Sequence, residues 1–167
     1  MSKRRVIPIA APVILVGFAA VLPALMRKFH EATVNNANTV TVWGTGKPLR
    51  EFLHVDDLAD ACVFLMNHYE DSEIINIGVG KDISISELAD LIKDIVGFKG
   101  SIHYDRSKPD GTPRKLLDVS KLQALGWQPK ISLRQGIEMT YRWYVKEEVP
   151  KMPKVPKVPK VPEDEGG

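Results

Sequence analysis

Strand-type and helix-type signals alternate from residue 21 to residue 148, and this alternation predicts an α/β layered domain. Three observations carry the prediction. Short β-rich runs (TVTVWG, REFLHV, IINIGV, SIHYD) are separated by segments whose apolar residues recur at i, i+3 and i+4. Ser84-x-x-Glu87 and Ser132-x-x-Gln135 have the form of capping boxes that open helices. Asn35-Asn36 stands where the first periodic segment ends, Gly44 closes a β-rich run, and Gly126 ends a later helix.

Taken in order, Leu22, Leu25, Met26 and Phe29 share one helical face, and that helix runs out near Asn35-Asn36. TVTVWG is a strand closed by Gly44, and REFLHV is a second one stopped by Asp56-Asp57, either of which suits a helix N-cap. The next helix places Leu58, Ala61, Cys62, Leu65, Met66 and Tyr69 in a core stripe. IINIGV reads as a buried strand. The helix opened by Ser84 turns Leu88, Leu91, Ile92 and Ile95 inward. SIHYD is a strand and RKLLDV a short one; Ser120 starts a brief helix that Gly126 ends. The last helix faces Leu133, Ile137, Tyr141 and Tyr144 to the core.

The two ends differ in kind from this middle. Lys3-Arg4-Arg5 precedes an uncharged run from Val6 to Met26, the layout of a signal peptide or membrane anchor, although Pro8, Pro12 and Pro23 interrupt it. At the other end KMPKVPKVPKVPEDEGG repeats Lys-x-Pro, which fixes φ and removes amide donors, so an extended spacer is expected. The predicted division is therefore 1–20 as a basic and apolar segment, 21–148 as the folded domain, and 149–167 as a low-complexity tail. Residues 31–148 hold 14 cations against 18 anions, so the basic charge lies at the ends and a nucleic-acid-binding face is set aside. Cys62 is the only cysteine and sits in the apolar stripe, where a buried inert thiol is expected. The four histidines lack zinc-type spacing, and no metal site is expected.

Dinucleotide motifs fail. Gly44-Thr45-Gly46 is followed by Leu49, and Gly78-Val79-Gly80 by Ile83, where a third glycine belongs. Tyr104-x-x-x-Lys108 has the spacing of a reductase acid beside its lysine, but Tyr104 ends a β-rich run and Pro109 follows Lys108. Proline disfavours helical geometry in the residue before it, so the two side chains should not share a helix face. The loop from Arg106 to Lys115 instead presents Arg106, Lys108, Asp110, Arg114 and Lys115 around prolines and a glycine, as a diphosphate or polyol ligand needs. A solvated charged turn is the plain alternative.

VWGTGKPLREFLHVDDLADA resembles the segment with which extended short-chain dehydrogenase/reductases shape a sugar-nucleotide pocket. SKPDGTPRKLLDVSKLQALGW and LPALMRKFHEA narrow the likeness to the GDP-L-fucose synthase family, over about Val21 to Glu147. The resemblance implies an α/β fold: the substrate-binding C-terminal part of such an enzyme, lacking the N-terminal dinucleotide-binding Rossmann region. It implies NADPH as cofactor of the intact family, with none expected for this chain alone. The family's reaction is epimerisation and reduction of GDP-4-keto-6-deoxymannose. By the same resemblance Lys28, Trp43 and Arg50 match substrate-binding positions, and Asp110 is a fourth candidate.

The chemistry of these residue types agrees. Lys28 and Arg50 can neutralise a pyrophosphate, Arg50 by a bidentate fork. Trp43 offers a flat wall with one donor, and Asp110 can accept from sugar or base hydrogens. The plain alternatives are a core role for Trp43, a solvated Lys28, and an ion pair of Arg50 with Asp56 or Asp57.

No catalytic residue is expected in the chain. The family's glycine-rich loop, its Ser and Tyr-x-x-x-Lys set and its cysteine precede the matched region, and Ala20 stands where the family has an acid/base histidine. The expected ligand is therefore a GDP-sugar, bound without turnover. A missing N-terminal half or a second copy is the expected protein partner, in the role of a split enzyme or an adaptor. The expected location is cytoplasmic, against an exported or anchored alternative through residues 6–26.

Overall fold

The computed structural model describes residues 21–148. The signal or anchor reading of residues 6–20 and the spacer reading of 149–167 lie outside them. Helix α1 (Val21–Val34) is followed by β1 (Thr39–Trp43), β2 (Leu49–Glu51), α2 (Val55–His68), β3 (Asp82–Ser84) and α3 (Ile85–Val96). Then come β4 (Ser101–Asp105), β5 (Arg114–Lys115), α4 (Ser120–Ala124), α5 (Leu133–Trp143) and a π-helical turn at Tyr144–Glu148.

Two small sheets result. β1 pairs with β4 in parallel, Thr39 opposite Ser101 and Trp43 opposite Asp105. β2 is the middle strand of the other, antiparallel to β3 and parallel to β5. The main core lies between α1, α3, α5 and the β1–β4 pair: Leu25, Met26, Phe29, Val40, Val42, Leu88, Ile92, Phe98 and Ile137 are buried together. Pro23 is tolerated because the first turn of α1 has no intrahelical amide bonds to lose. The last six residues of the apolar N-terminal run thus belong to an amphipathic core helix. Among the described residues no helix is long and apolar enough to cross a membrane.

Both capping boxes form as expected: Ser84 accepts from Glu87 N–H while Glu87 accepts from Ser84, and Ser132 and Gln135 do the same. Gly97 closes α3 in the left-handed conformation, φ 79°.

Other expectations need correction. α2 begins two or three residues earlier than the aspartates suggest, with His54 as N-cap: its Nδ1 accepts from Asp56 N–H at 3.2 Å. Asp57 is instead drawn inside, only 2% exposed, where it accepts the backbone N–H groups of Lys130 and Ile131. A buried carboxylate must be satisfied, and these amides satisfy it while fixing the approach to α5.

The α2 stripe is only partly covered. Ala61 is buried with Leu122 and Trp127 in a second, smaller core, while Leu58, Cys62 and Leu65 are half-buried and Met66 is exposed. Cys62 is accordingly a half-buried free thiol rather than a buried one. Of REFLHV only Arg50 and Glu51 are strand, with Leu49 ahead of them. IINIGV forms no ladder: residues 74–77 have no regular secondary structure and Gly78 is a bend. RKLLDV is a strand over two residues, and α4 is preceded by Val119 with Ser120 N–H held by Asp118 Oδ1 at 3.0 Å.

Candidate functional site

The period of β1 decides where its tryptophan goes. Val40 and Val42 fill the core, so Thr39, Thr41 and Trp43 face out. Trp43 is 67% exposed, which removes the core alternative for it. Lys28 is carried to the same place by α1, one residue from the buried Phe29. Its Nζ donates to Thr41 O at 3.0 Å and sits 5.3 Å from the centroid of the Trp43 ring. A second cation, Lys108 Nζ, lies 5.9 Å from that ring.

Asp110 sits across the turn after β1. Its Oδ1 accepts the Thr45 N–H at 2.8 Å and its Oδ2 the Thr45 hydroxyl at 2.6 Å. These two bonds, the hydroxyl first, hold the carboxyl below the ordinary aspartate range. Gly44 makes the approach feasible: its φ is 81°, and a Cβ there would lie 2.3 Å from Asp110 Oδ1. Asp110 therefore latches the 105–111 loop to the β1 turn, leaving only its remaining lone pairs for a ligand.

Arg50 projects from β2, its Nη1 donating to Leu49 O at 2.6 Å. It makes no ion pair with Asp56 or Asp57, since Asp57 is engaged at Lys130 and Ile131 and Asp56 lies 3.7 Å from His54. The guanidinium faces the same loop, because a Cβ on Gly111 would be 3.1 Å from Nη2. The structure thus brings Lys28 to Trp43, Trp43 through Gly44-Thr45 to Asp110, and Arg50 to Gly111. The shared element is the 105–111 loop. A groove of about 290 Å³ beside β1 is lined by Lys28, Thr39, Thr41 and neighbours on α1, and it does not include Trp43, Arg50 or Asp110.

The Tyr104–Lys108 spacing is resolved as the chain geometry demands. Tyr104 is in β4 with its ring against Gly46, where a Cβ would be 2.6 Å from Cε1, and burial pushes its phenol pKa up. Lys108 lies in a turn whose N–H bonds to Asp105 O at 3.3 Å. That turn is tightened by Asp105 Oδ1, which accepts from Ser107 N–H and Oγ. Lys108 was named from the sequence among the loop's charged groups but not as a neighbour of Trp43, and Thr45 was not singled out. The Asp105-x-Ser107 turn signal after a strand was the legible hint.

Neither glycine turn suits a dinucleotide pyrophosphate. Successive amides of Val79 and Gly80 do converge as an anion-binding nest would, but Glu51 Oε1 already fills it at 2.5 and 2.6 Å. Gly44 N–H is taken by Asp105 O at 2.9 Å, and Tyr104 occupies the space over Gly46. No step of dinucleotide chemistry is assigned to these residues. Among the described residues no three His, Cys, Asp or Glu side chains are grouped to hold a metal.

Comparisons with known proteins agree with one another. The NAD dependent epimerase/dehydratase family matches residues 18–78. GDP-L-fucose synthase 1 of Arabidopsis thaliana is 65% identical over 126 residues, which are 75% of this chain and 39% of that protein. GDP-L-fucose synthase of Escherichia coli is 50% identical over 137 residues, 77% of this chain and 43% of that one. Among solved structures, a GDP-L-fucose synthetase from Naegleria fowleri bound to NADP aligns with a TM-score of 0.70 at 35% identity, over 75% of this chain and 40% of its own. The chain spans about two fifths of the length of the relatives it matches.

Proposed function

Because the chain belongs to the NAD dependent epimerase/dehydratase family and is homologous to the GDP-L-fucose synthases over about two fifths of their length, we propose that it supplies the GDP-sugar-binding surface of such an enzyme. The observation that supports this most directly is the cluster at the 105–111 loop, where Lys28 and Lys108 flank Trp43 and Arg50 faces Gly111. In this reading Lys28 and Arg50, with Lys108, take the diphosphate charge, and Trp43 walls one side of the ligand. Asp110 holds the loop in register and accepts from a sugar hydroxyl with its remaining lone pairs. The site is open to solvent, so binding by this chain is weak.

The intact enzyme of this reading passes hydride from NADPH to a C4 ketone after epimerisation at C3 and C5. This chain alone binds without turnover, since the resemblance places no acid, base or nucleophile of that chemistry in it. It acts in the cytoplasm, where nucleotide-sugar substrates are made available.

Titration calorimetry with GDP-fucose tests the proposal. Binding in the millimolar range or tighter is expected, weakened about tenfold by Lys28→Met or Arg50→Met, the scale of one charge-assisted hydrogen bond. Absence of heat at millimolar ligand would remove it.

A further inference from the structure

The tip of the 105–111 loop has no core of its own. Every residue from Arg106 to Gly111 is exposed, so no apolar packing fixes where its charges stand. The stems of the loop are tied to the β1–β2 connection: Gly44 N–H donates to Asp105 O at 2.9 Å, and Leu49 N–H donates to Pro113 O at 2.8 Å. Between those stems the bonds of Ser107 and Lys108 return only to Asp105. Asp110 alone reaches outward, its two carboxylate oxygens taking the amide and the hydroxyl of Thr45. Among the described residues no other hydrogen bond or ion pair joins residues 106–112 to anything beyond the loop.

Thr45 is shaped for that bond by its neighbours. It lies between two left-handed glycines, Gly44 at φ 81° and Gly46 at φ 76°, and its amide and hydroxyl reach the same carboxylate. Its Oγ1 also accepts the Lys47 N–H at 3.2 Å, which leaves the hydroxyl proton for Asp110. A hydroxyl bonded to an ionised carboxylate is stronger than a neutral pair. Valine would keep the shape of Thr45 and lose both of these bonds; serine would keep both.

What the latch places is charge. Lys108, two residues before Asp110, stands 5.9 Å from the centroid of the Trp43 ring, and Gly111, the residue after it, faces the Arg50 guanidinium. We propose that Thr45 is a positioning residue of the candidate site: it touches no ligand, and through Asp110 it sets the loop tip so that Lys108 stands over Trp43 and the backbone at Gly111 passes Arg50. The effect of Thr45 on affinity rests on the GDP-sugar reading above, whereas its effect on the loop does not.

Thr45→Val and Thr45→Ser in the full 167-residue chain test this. Two readouts need no ligand. Hydrogen exchange at the amide of position 45 follows the surviving half of the latch, and the NMR shift of the Lys108 ε-methylene follows whether the ammonium still lies over an indole. Thr45→Val should speed that exchange at least about tenfold, the scale of one charge-assisted hydrogen bond, and move the Lys108 signal to that of a lysine in open solvent. Calorimetry with GDP-fucose should show affinity lowered at least about threefold by the same change. Thr45→Ser should return all three readouts to those of the parent. A space-filling role predicts the reverse, because valine fills the position better than serine. Unchanged exchange or an unchanged Lys108 signal in Thr45→Val overturns the proposal. So does a displaced loop whose affinity stays within about twofold of the parent, and so does failure of Thr45→Ser to restore the loop. A parent chain that gives no heat removes the GDP-sugar reading, and the two ligand-free readouts then decide by themselves whether Thr45 sets the loop.

Discussion

Glu51→Gln is the substitution with the clearest energetic consequence. Glu51 closes β2 and ties it to the Val79-Gly80 turn ahead of β3 and to Leu117 just beyond β5, past the ends of the sheet ladders. Its Oε1 accepts from Val79 and Gly80 N–H at 2.5 and 2.6 Å, and its Oε2 accepts from Leu117 N–H at 3.0 Å. Gly78 is glycine because a Cβ there would lie 2.5 Å from Oε1. In glutamine one of the two oxygens becomes an NH2 group, which cannot accept. If the remaining oxygen keeps Val79 and Gly80, the new donor faces the Leu117 donor, and one charge-assisted bond is lost outright. That bond is worth about 1.5–3 kcal/mol. At about 4 °C per kcal/mol for a domain of this size, the thermal midpoint should fall by about 6–12 °C. Calorimetry on the parent and variant chains measures it, and hydrogen exchange should show faster opening at residues 79, 80 and 117. A fall under about 2 °C would refute the reasoning. It would mean that water serves these amides as well as the carboxylate does.

Phe29→Ala should cost about 3–5 kcal/mol, because Phe29 is 0% exposed and packs on Phe98 at the centre of the main core; urea unfolding with an unchanged slope checks this. Acid should destabilise the fold in a defined window. Asp60, held by the Trp127 indole and Lys130, titrates below the ordinary carboxylate range. The same holds for Asp82 beside Arg114, Glu87 at Ser84, and Asp110 at Thr45. Their folded pKa values lie below the unfolded ones, so the stability they add is complete above the unfolded range and is lost as pH falls through the folded values. Urea midpoints should be flat above about pH 5 and decline below about pH 4, and Asp82→Asn should shallow that decline.

Much of the fold was legible because local signals agreed. The two capping boxes and the apolar faces of α1, α3 and α5 are written in residues a few positions apart, and each formed as read. The candidate site was reached in a different way. Lys28, Trp43, Arg50 and Asp110 were named through resemblance, and the alternation of β1 alone makes Trp43 face outward. What was not legible depends on contacts distant in sequence. Nothing near Asp57 announces Lys130 and Ile131, 73 and 74 residues away, as its partners. Nothing near Lys108 announces the Trp43 ring.

The sequence by itself determined the order of elements, their caps and which face of each helix is apolar, because those follow from spacings of two to four residues along one chain. Only the tertiary structure decided which apolar faces find cover and which carboxylates turn inward. IINIGV and the α2 stripe show why. A segment can have the composition of a buried strand and still lie unpaired, since pairing requires a neighbouring strand, and a strand's own residues do not specify where that neighbour is. The Thr45–Asp110 latch makes the same point for the site: whether a carboxylate is offered to a ligand or spent on the backbone depends on what the fold sets within 3 Å of it.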